Sequence, residues 1–153
     1  MDGKNNIFPQ ANSIPLILGV LDIIQEKTNI SKIDIANRLK IVSRQVDYYI
    51  NALRYFELIS DKCRLTLKGK FISDPLVNQA DKIMIFKNII VGKSVFSQID
   101  GYIIQYRELP SIETIISYIK ENYAYSQSTL IRRASTVRSW FDFFIKNEIY
   151  GEL

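Results

Sequence analysis

Apolar residues at helical spacing constrain the fold of this chain most strongly. Near the N-terminus they recur three or four positions apart, at Ile14, Ile17, Leu18, Leu21 and Ile24. This spacing places them on one face of an α-helix. Ser13 precedes the row as a natural N-cap, and Pro15 suits the first turn, where its missing N–H is not needed. The sequence therefore predicts an amphipathic helix over residues 13–27.

Two further helices are predicted directly after the first. Ser31 opens "SKIDIANRL" as an N-cap, with Asp34 three residues later in a capping-box-like position. Ser43 opens "SRQVDYYINALRYFE" as a cap, and the buried row of this third helix is Val46, Tyr49, Ile50, Leu53 and Phe56. Because only a short turn separates the second and third helices, the pattern is typical of a helix-turn-helix.

The next stretch, "LISDKCRLTLKGKF", predicts two short strands at 58–60 and 63–66, followed by a short helix capped by Thr66. A strand pair in this place would form a wing. The Leu-Thr-x-x-Gly pattern of Leu65, Thr66 and Gly69 resembles winged-helix DNA-binding domains of bacteria and archaea. This resemblance covers residues 13 to about 72.

An internal repeat predicts a second helix-turn-helix at 111–148. A shift of 91 residues aligns Val46 with Val137, Tyr49 with Trp140, Ile50 with Phe141 and Leu53 with Phe144. Three predicted helices would begin after Ser111, Ser126 and Ser135. Residues 75–91 and 95–107 predict two intervening helices.

The predicted fold class is therefore mainly α with a small β-wing. Two helix-turn-helix units, the first of them winged, are joined by a helical linker. The predicted divisions are a flexible arm at 1–12, a winged unit at 13–73, a linker at 74–110 and a second unit at 111–153, whose wing is absent or truncated.

Composition excludes several classes of enzyme. The 153 residues contain no histidine and one cysteine, Cys63, so Ser-His-Asp and Cys-His catalysis, Cys/His zinc sites and an internal disulfide are excluded. We expect no catalytic activity from the chain itself, no metal and no cofactor. No apolar run reaches the ~20 residues of a membrane span and no signal peptide is evident, which favours a cytoplasmic protein.

Charge points towards a polyanion. The net charge is +4, and the excess lies in residues 31–72, which hold nine basic and four acidic side chains. A basic block within a folded unit favours a surface that faces nucleic acid, although a solvated face of mixed charge is the alternative.

A second resemblance concerns the C-terminal third. "SQSTLIRRASTVRSW" resembles a helix-turn-helix element found in DNA-recognition portions of some type II restriction endonucleases. The residues that carry it are Ser126, Thr129, Arg132, Arg133, Thr136, Val137 and Trp140. The resemblance implies recognition of a DNA target, with a nuclease domain or subunit as a partner, and does not imply cleavage by this chain.

The predicted contacts with double-stranded DNA follow from these units. Recognition helices present their exposed N-terminal residues to base edges in the major groove. For base readout these are Arg44, Gln45, Asp47, Tyr48, Asn51, Thr136, Arg138, Ser139 and Asp142. For phosphate contacts they are Lys40, Ser43, Lys62, Arg64, Lys68, Arg132, Arg133 and Ser135.

Two other functions remain open at this stage. A stand-alone transcriptional regulator would form a homodimer through residues 75–107 and read a palindrome. A winged-helix protein-interaction module would instead use exposed aromatic side chains, for which Tyr48, Tyr55 and Phe143 are the candidates.

Overall fold

The computed structural model describes residues 7–27 and 29–153. Within them the chain forms eight α-helices. They are α1 (Ile14–Glu26), α2 (Lys32–Leu39), α3 (Ser43–Tyr55), α4 (Leu67–Ile72), α5 (Gln79–Ile90), α6 (Ser94–Tyr106), α7 (Ile112–Lys120) and α8 (Gln127–Lys146). The prediction of a mainly helical fold is confirmed. No helix in this described part has the length and apolar character needed to cross a membrane.

The chain divides into two compact units, the first running up to Lys82 and the second covering Ile83–Leu153. In the first unit, α1, α2 and α3 pack against one another. The caps predicted for α1 and α2 are confirmed, because Ser13 Oγ accepts a hydrogen bond from the Leu16 N–H at 3.3 Å and Ser31 Oγ accepts one from the Asp34 N–H at 3.1 Å. The predicted apolar rows of α1 and α3 are buried in this core.

The segment before α1 departs from the predicted flexible arm. Residues 1–6 of that arm lie outside the described residues. In residues 7–12, however, Phe8 and Ala11 are buried, and the Phe8 ring meets the Tyr55 ring edge-on, with centroids 6.2 Å apart. Burying a phenylalanine side chain stabilises a fold by about 1.5–3 kcal/mol, so this part of the chain belongs to the core. The same contact corrects the expectation that Tyr55 is exposed.

The predicted two-stranded wing is wrong. In the described segment at 58–66, one isolated antiparallel bridge joins Ile59 to Leu65. The chain turns back at once, because the Ser60 N–H donates to the Arg64 carbonyl at 2.8 Å and Cys63 takes a left-handed conformation with φ 57°. Thr66 then caps α4, so the returning stretch ends one residue after the bridge. We call residues 60–65 the basic turn, since it carries Lys62 and Arg64.

Gly69 allows α4 to lie directly against the chain that precedes the basic turn. A Cβ atom at this position would lie 2.0 Å from the carbonyl oxygen of Leu58. Thr66 fixes the approach, because its N–H donates to the Leu58 carbonyl at 3.1 Å and its hydroxyl donates to the Glu57 carbonyl at 2.6 Å. The glycine of the Leu-Thr-x-x-Gly pattern is thus required by close packing.

In the second unit, α7 packs against α8 and α6. Trp140 of α8 is buried at the centre of an aromatic core, with its ring stacked on that of Phe96 at 5.9 Å and 6.0 Å from that of Phe86. The caps predicted for α7 and α8 are confirmed, because Ser111 Oγ accepts from the Thr114 N–H and Ser126 Oγ accepts from the Thr129 N–H.

The predicted helix boundary at Ser135 is wrong, since α8 runs without a break for 20 residues. Ser135 lies near its middle, where the hydroxyl donates to the Ile131 carbonyl one turn earlier at 2.8 Å. The physical reason is the buried row that crosses this point without interruption. It consists of Leu130, Ala134, Val137, Phe141 and Phe144. The helices at 111–148 therefore form the pair α7 and α8, and the predicted third helix is the second half of α8.

A polar cluster ties α5 to α6 and to the end of the second unit. Lys87 forms an ion pair with Asp100 at 3.0 Å, and both side chains are largely buried. The Tyr150 hydroxyl donates to the Asp100 carboxylate at 2.7 Å, and the Lys87 ammonium lies 4.9 Å from the centre of the Tyr150 ring. Burial, followed by the Asp100 carboxylate, raises the pKa of Tyr150 well above its ordinary value.

Candidate functional site

The turn between α2 and α3 consists of residues 40–42. Lys40 ends α2 in a left-handed conformation with φ 56°, and the Ile41 N–H donates to the Ala36 carbonyl at 3.0 Å. The predicted role of Ser43 as N-cap is wrong by one residue, because Val42 holds that position and Ser43 is the first helical residue. The valine side chain cannot accept a hydrogen bond, and the Gln45 side-chain oxygen instead accepts one from the Val42 N–H at 3.4 Å.

The exposed side of α3 carries the readout residues predicted for the first unit. Arg44 is exposed and Asn51 is partly exposed, and the two lie seven residues apart, within about 20° of each other around the helix. Tyr48 is partly exposed next to them. None of these three side chains has a hydrogen bond or ion pair within the described residues. They are therefore open to an external partner.

Two predicted readout residues are engaged inside the unit. Asp47 forms an ion pair with Lys32 of α2 at 2.6 Å, and Gln45 caps its own helix. Both contacts are at the surface, where such interactions contribute little, typically ~1 kcal/mol or less. The pair with Lys32 nevertheless reduces the negative charge that Asp47 would present to a polyanion.

The cations of the first unit fall into two groups. Four of them form ion pairs: Lys32 with Asp47, Arg38 with Glu26, Lys68 with Glu57 and Lys82 with Asp22. Seven others have no ion pair within the described part of the chain, namely Lys27, Lys40, Arg44, Arg54, Lys62, Arg64 and Lys70; among them, Arg54 donates side-chain hydrogen bonds to residues 61 and 63. Of the cations predicted to contact phosphate in this unit, Lys40, Lys62 and Arg64 are unpaired and Lys68 is paired at 3.4 Å.

The basic turn is held in place from α3. The Arg54 guanidinium donates to the Asp61 carbonyl at 2.9 Å and to the Cys63 sulfur at 3.1 Å. The Cys63 N–H donates to the Ser60 carbonyl at 2.9 Å. These bonds fix the backbone between Lys62 and Arg64, so that both side chains start from an ordered position.

Lys62 and Arg64 also border a groove of about 820 Å³ in the first unit. We call it the basic groove. Its remaining cations are Lys27, Lys32 and Lys70, and its apolar residues are Ile24, Ile30, Ile35, Ile50 and Leu65. Gln25, Asn29 and Cys63 also line it, and no carboxylate occurs among the described residues of the lining. The sequence prediction named two of the five cations and missed the other three. For Lys32 and Lys70 the only signal was the basic excess of residues 31–72, and Lys27 lies outside that range.

The residues predicted to contact DNA in the second unit do not form a comparable surface. Thr136 is 9% exposed, so the expectation that it faces a duplex is wrong. The Arg138 guanidinium donates to the Pro110 carbonyl at 2.9 Å in a partly buried contact that ties α8 to the start of α7. Ser139 donates to the Thr136 carbonyl, and Asp142 pairs with Lys146 at 2.7 Å.

The predicted arginine pair lies within α8 and not at a helix junction. Arg132 is exposed and donates to the Thr129 hydroxyl at 3.3 Å. The Arg133 guanidinium lies 6.0 Å from the centre of the Tyr125 ring. Because Ser135 lies inside α8, no helix begins there, and the helix start that was expected to bind phosphate together with these arginines is absent.

The described residues thus define a mainly helical protein of two compact units with a basic groove in the first. No group of three or more Cys, Asp or Glu side chains that could hold a metal ion occurs among them. Residues 17–148 match the protein family described as a domain of unknown function, DUF7226. Because the match covers most of the chain, the protein belongs to this family. No curated protein and no solved structure matches the chain.

Proposed function

We propose that the first unit binds double-stranded DNA as a helix-turn-helix, with α3 in the major groove. The arrangement of α1, α2 and α3 and the three-residue turn before α3 support this proposal. At 1.5 Å per residue, the 13 residues of α3 extend about 20 Å, and a major groove about 12 Å wide admits a single helix.

The observation that carries the proposal is the distribution of unpaired cations. Lys40 precedes α3, Arg44 lies in its first turn, and Lys62 and Arg64 lie on the basic turn that Arg54 of α3 holds. An exposed cation that already has a carboxylate partner gains little from a phosphate, whereas an unpaired one can replace a condensed counterion of the duplex. Lys40, Lys62 and Arg64 would position the duplex, and Arg44 and Asn51 would read base edges.

The readout assignments follow from side-chain chemistry. The Arg44 guanidinium has the fork geometry that binds guanine O6 and N7, and the Asn51 amide suits adenine N6 and N7. Tyr48 lies beside them and can contact a thymine methyl group. Gln45 and Asp47 would have to give up their present contacts before they could bind a base, so we assign them a smaller part.

Recognition of a restriction target rests on the resemblance of residues 126–140 alone. Three of the residues that carry this resemblance, Thr136, Val137 and Trp140, are buried in the core of the second unit. A partner nuclease, the absence of catalysis by this chain and a homodimer through residues 75–107 stay predictions. Light scattering of the purified protein tests the dimer.

Selection from a random duplex library, followed by a gel shift on the enriched site, tests sequence-specific binding. We expect a consensus to emerge, and we expect Arg44→Ala to weaken binding to it by about 5- to 150-fold, the equivalent of 1–3 kcal/mol of base discrimination. Binding of this variant to random DNA should change less. Lys120→Ala is the matched control, because Lys120 is exposed and lies in the second unit. No enrichment of any site would reject direct readout.

Salt dependence tests the phosphate contacts separately. Each phosphate neutralised contributes about 0.9 to the slope of log K against log salt concentration. The double variant Lys62→Ala/Arg64→Ala should therefore lower the slope by about 1.8. Lys120→Ala/Lys146→Ala removes the same number of charges from the second unit and should leave the slope unchanged. Equal slopes for both double variants and the wild type would contradict the proposed interface.

A protein-interaction module is the second candidate, favoured by the surface of α4. Leu67 and Phe71 lie four residues apart on this helix and are 84% and 64% exposed. Apolar side chains of this size on one helix face are typical of binding surfaces. If the protein binds no duplex even at low salt, the first candidate is rejected and this one is favoured.

A further inference from the structure

The basic groove combines features that a phosphate-contacting surface alone does not require. Its volume of about 820 Å³ lies within the range of ~300–1,000 Å³ that is typical of small-molecule sites. We infer that the groove binds a nucleotide, with the phosphates on its cations and the base and sugar over its apolar floor. This inference does not depend on DNA binding by α3.

The charge of the groove matches a chain of phosphates. Five cations line it, and only Lys32 has an ion-pair partner within the described residues. Lys27, Lys62, Arg64 and Lys70 are unpaired, and no carboxylate lies among the described lining residues. Several cations that line one concave surface attract a polyanion more strongly than scattered ones, because low-dielectric walls focus the potential.

The floor indicates that the anion also has an apolar part. The buried side chains of Ile24, Ile35 and Ile50 line the groove, and the partly exposed Ile30 and Leu65 add apolar surface to it. An inorganic anion or a duplex phosphate gains nothing from such a surface, whereas a nucleobase covers it and removes apolar area from water. An acyl chain would do so too.

Two amide side chains favour a nucleobase over an acyl chain. Gln25 lies in the last turn of α1, Asn29 lies just after this helix, and both border the groove. Each carries a donor and an acceptor, which can pair with the ring nitrogens and exocyclic groups of a base or with sugar hydroxyls. A purely aliphatic ligand would offer neither amide a hydrogen bond.

Calorimetric titration of the full chain with ATP, inorganic tripolyphosphate, adenosine and dodecyl phosphate tests the inference. We expect ATP to bind at least about tenfold more tightly than tripolyphosphate, because only ATP covers the floor. Equal affinities for ATP and tripolyphosphate would show that only the phosphates are bound, through the cations, and would overturn the inference. Tighter binding of dodecyl phosphate than of ATP, or no binding of ATP, would overturn it as well.

Variants locate the site. Lys70→Ala should weaken ATP binding by about tenfold, the loss of one charge-assisted contact. Lys68→Ala is the matched control on the same helix, since Lys68 is not part of the groove lining and pairs with Glu57. Equal losses for the two variants would place ATP elsewhere. Ile30→Asn should lower the affinity for ATP towards that for tripolyphosphate while leaving tripolyphosphate binding unchanged.

The gel shift separates this inference from the proposed DNA binding. ATP binding that depends on Lys70, in a protein with no affinity for duplex, supports the nucleotide site and rejects the proposed function. DNA binding by a protein that does not bind ATP supports the proposed function and rejects the nucleotide site. Circular dichroism of each variant checks that the helices are intact before either result is interpreted.

Discussion

Gly69 offers the most direct test of how the first unit is packed. In Gly69→Ala the new Cβ would lie 2.0 Å from the Leu58 carbonyl oxygen, whereas carbon and oxygen atoms normally stay at least about 3.3 Å apart. The α4 helix and the chain at Leu58 must therefore separate by about 1 Å or more. A movement of that size stretches the 3.1 Å bond from the Thr66 N–H to Leu58 beyond hydrogen-bonding distance and strains the bond from its hydroxyl to Glu57.

The expected cost follows from these two hydrogen bonds. Each contributes about 1 kcal/mol net, and a carbonyl left without its partner adds about 1–3 kcal/mol. Alanine regains up to about 1 kcal/mol relative to glycine through its higher helix propensity. We therefore expect Gly69→Ala to lower the free energy of unfolding by about 2–4 kcal/mol.

Gly101→Ala is the matched control, because the same substitution should have the opposite sign there. Gly101 lies exposed within α6, and a Cβ at this position meets no atom within 4 Å. Alanine should therefore stabilise the protein by about 0.5–1 kcal/mol. Urea denaturation followed by circular dichroism measures both effects, and hydrogen exchange should show lost protection in α4 of Gly69→Ala. If Gly69→Ala unfolds at the wild-type urea concentration, α4 does not lie against Leu58.

Three further outcomes are expected in stability measurements. Asp22→Ala removes the carboxylate partner of Lys82, a residue that is 7% exposed. Because Asp22 itself is partly exposed, we expect urea denaturation to show a loss of about 2 kcal/mol, which is less than the 3–5 kcal/mol of a fully buried pair. The raised pKa of Tyr150 means that the unfolded chain loses this proton first above about pH 10, so stability should fall as the pH rises further, and Tyr150→Phe should make the fall shallower. Ser126→Ala removes a helix cap and should cost about 1 kcal/mol. Ser135→Ala lies inside α8 and should be neutral or stabilising by up to about 0.5 kcal/mol, whereas a loss equal to that of Ser126→Ala would mean that a helix begins at Ser135.

Most helix starts were predictable because they combine two local signals. At Ser13, Ser31, Ser111 and Ser126 a capping side chain stands directly before a row of apolar residues, and the structure places a helix after each of them. Ser135 has the cap chemistry as well, but the apolar row continues across it without interruption. In this chain, these four serines stand before the first residue of a buried apolar row, whereas Ser135 stands in the middle of one. The internal repeat placed Ser135 next to the position that corresponds to Ser43 and so suggested a helix start that does not exist.

Packing between distant segments was not predictable from periodicity. The position of Tyr55 on the wheel of α3 suggested exposure, since it falls in the row of Arg44, Tyr48 and Asn51. Phe8, more than forty positions earlier in the chain, covers it. The row is therefore polar near its N-terminal end and buried at its C-terminal end, which limits the surface open to a partner to the first two turns of α3.

Which cations of the candidate site are free to bind an anion was also not predictable from the sequence. Composition located the basic excess in residues 31–72, but pairing decides which cations are available, and pairing depends on tertiary distances. Lys32 reaches Asp47 on the next helix and Arg38 reaches Glu26 on the preceding one, so both lose part of their attraction for an external anion. Lys27, just before this basic block, and Lys70, near its end, are 43 positions apart in the chain and line the same groove only in the folded unit. The basic groove is therefore a property of the folded unit, because its cations come from segments that are well separated in the sequence.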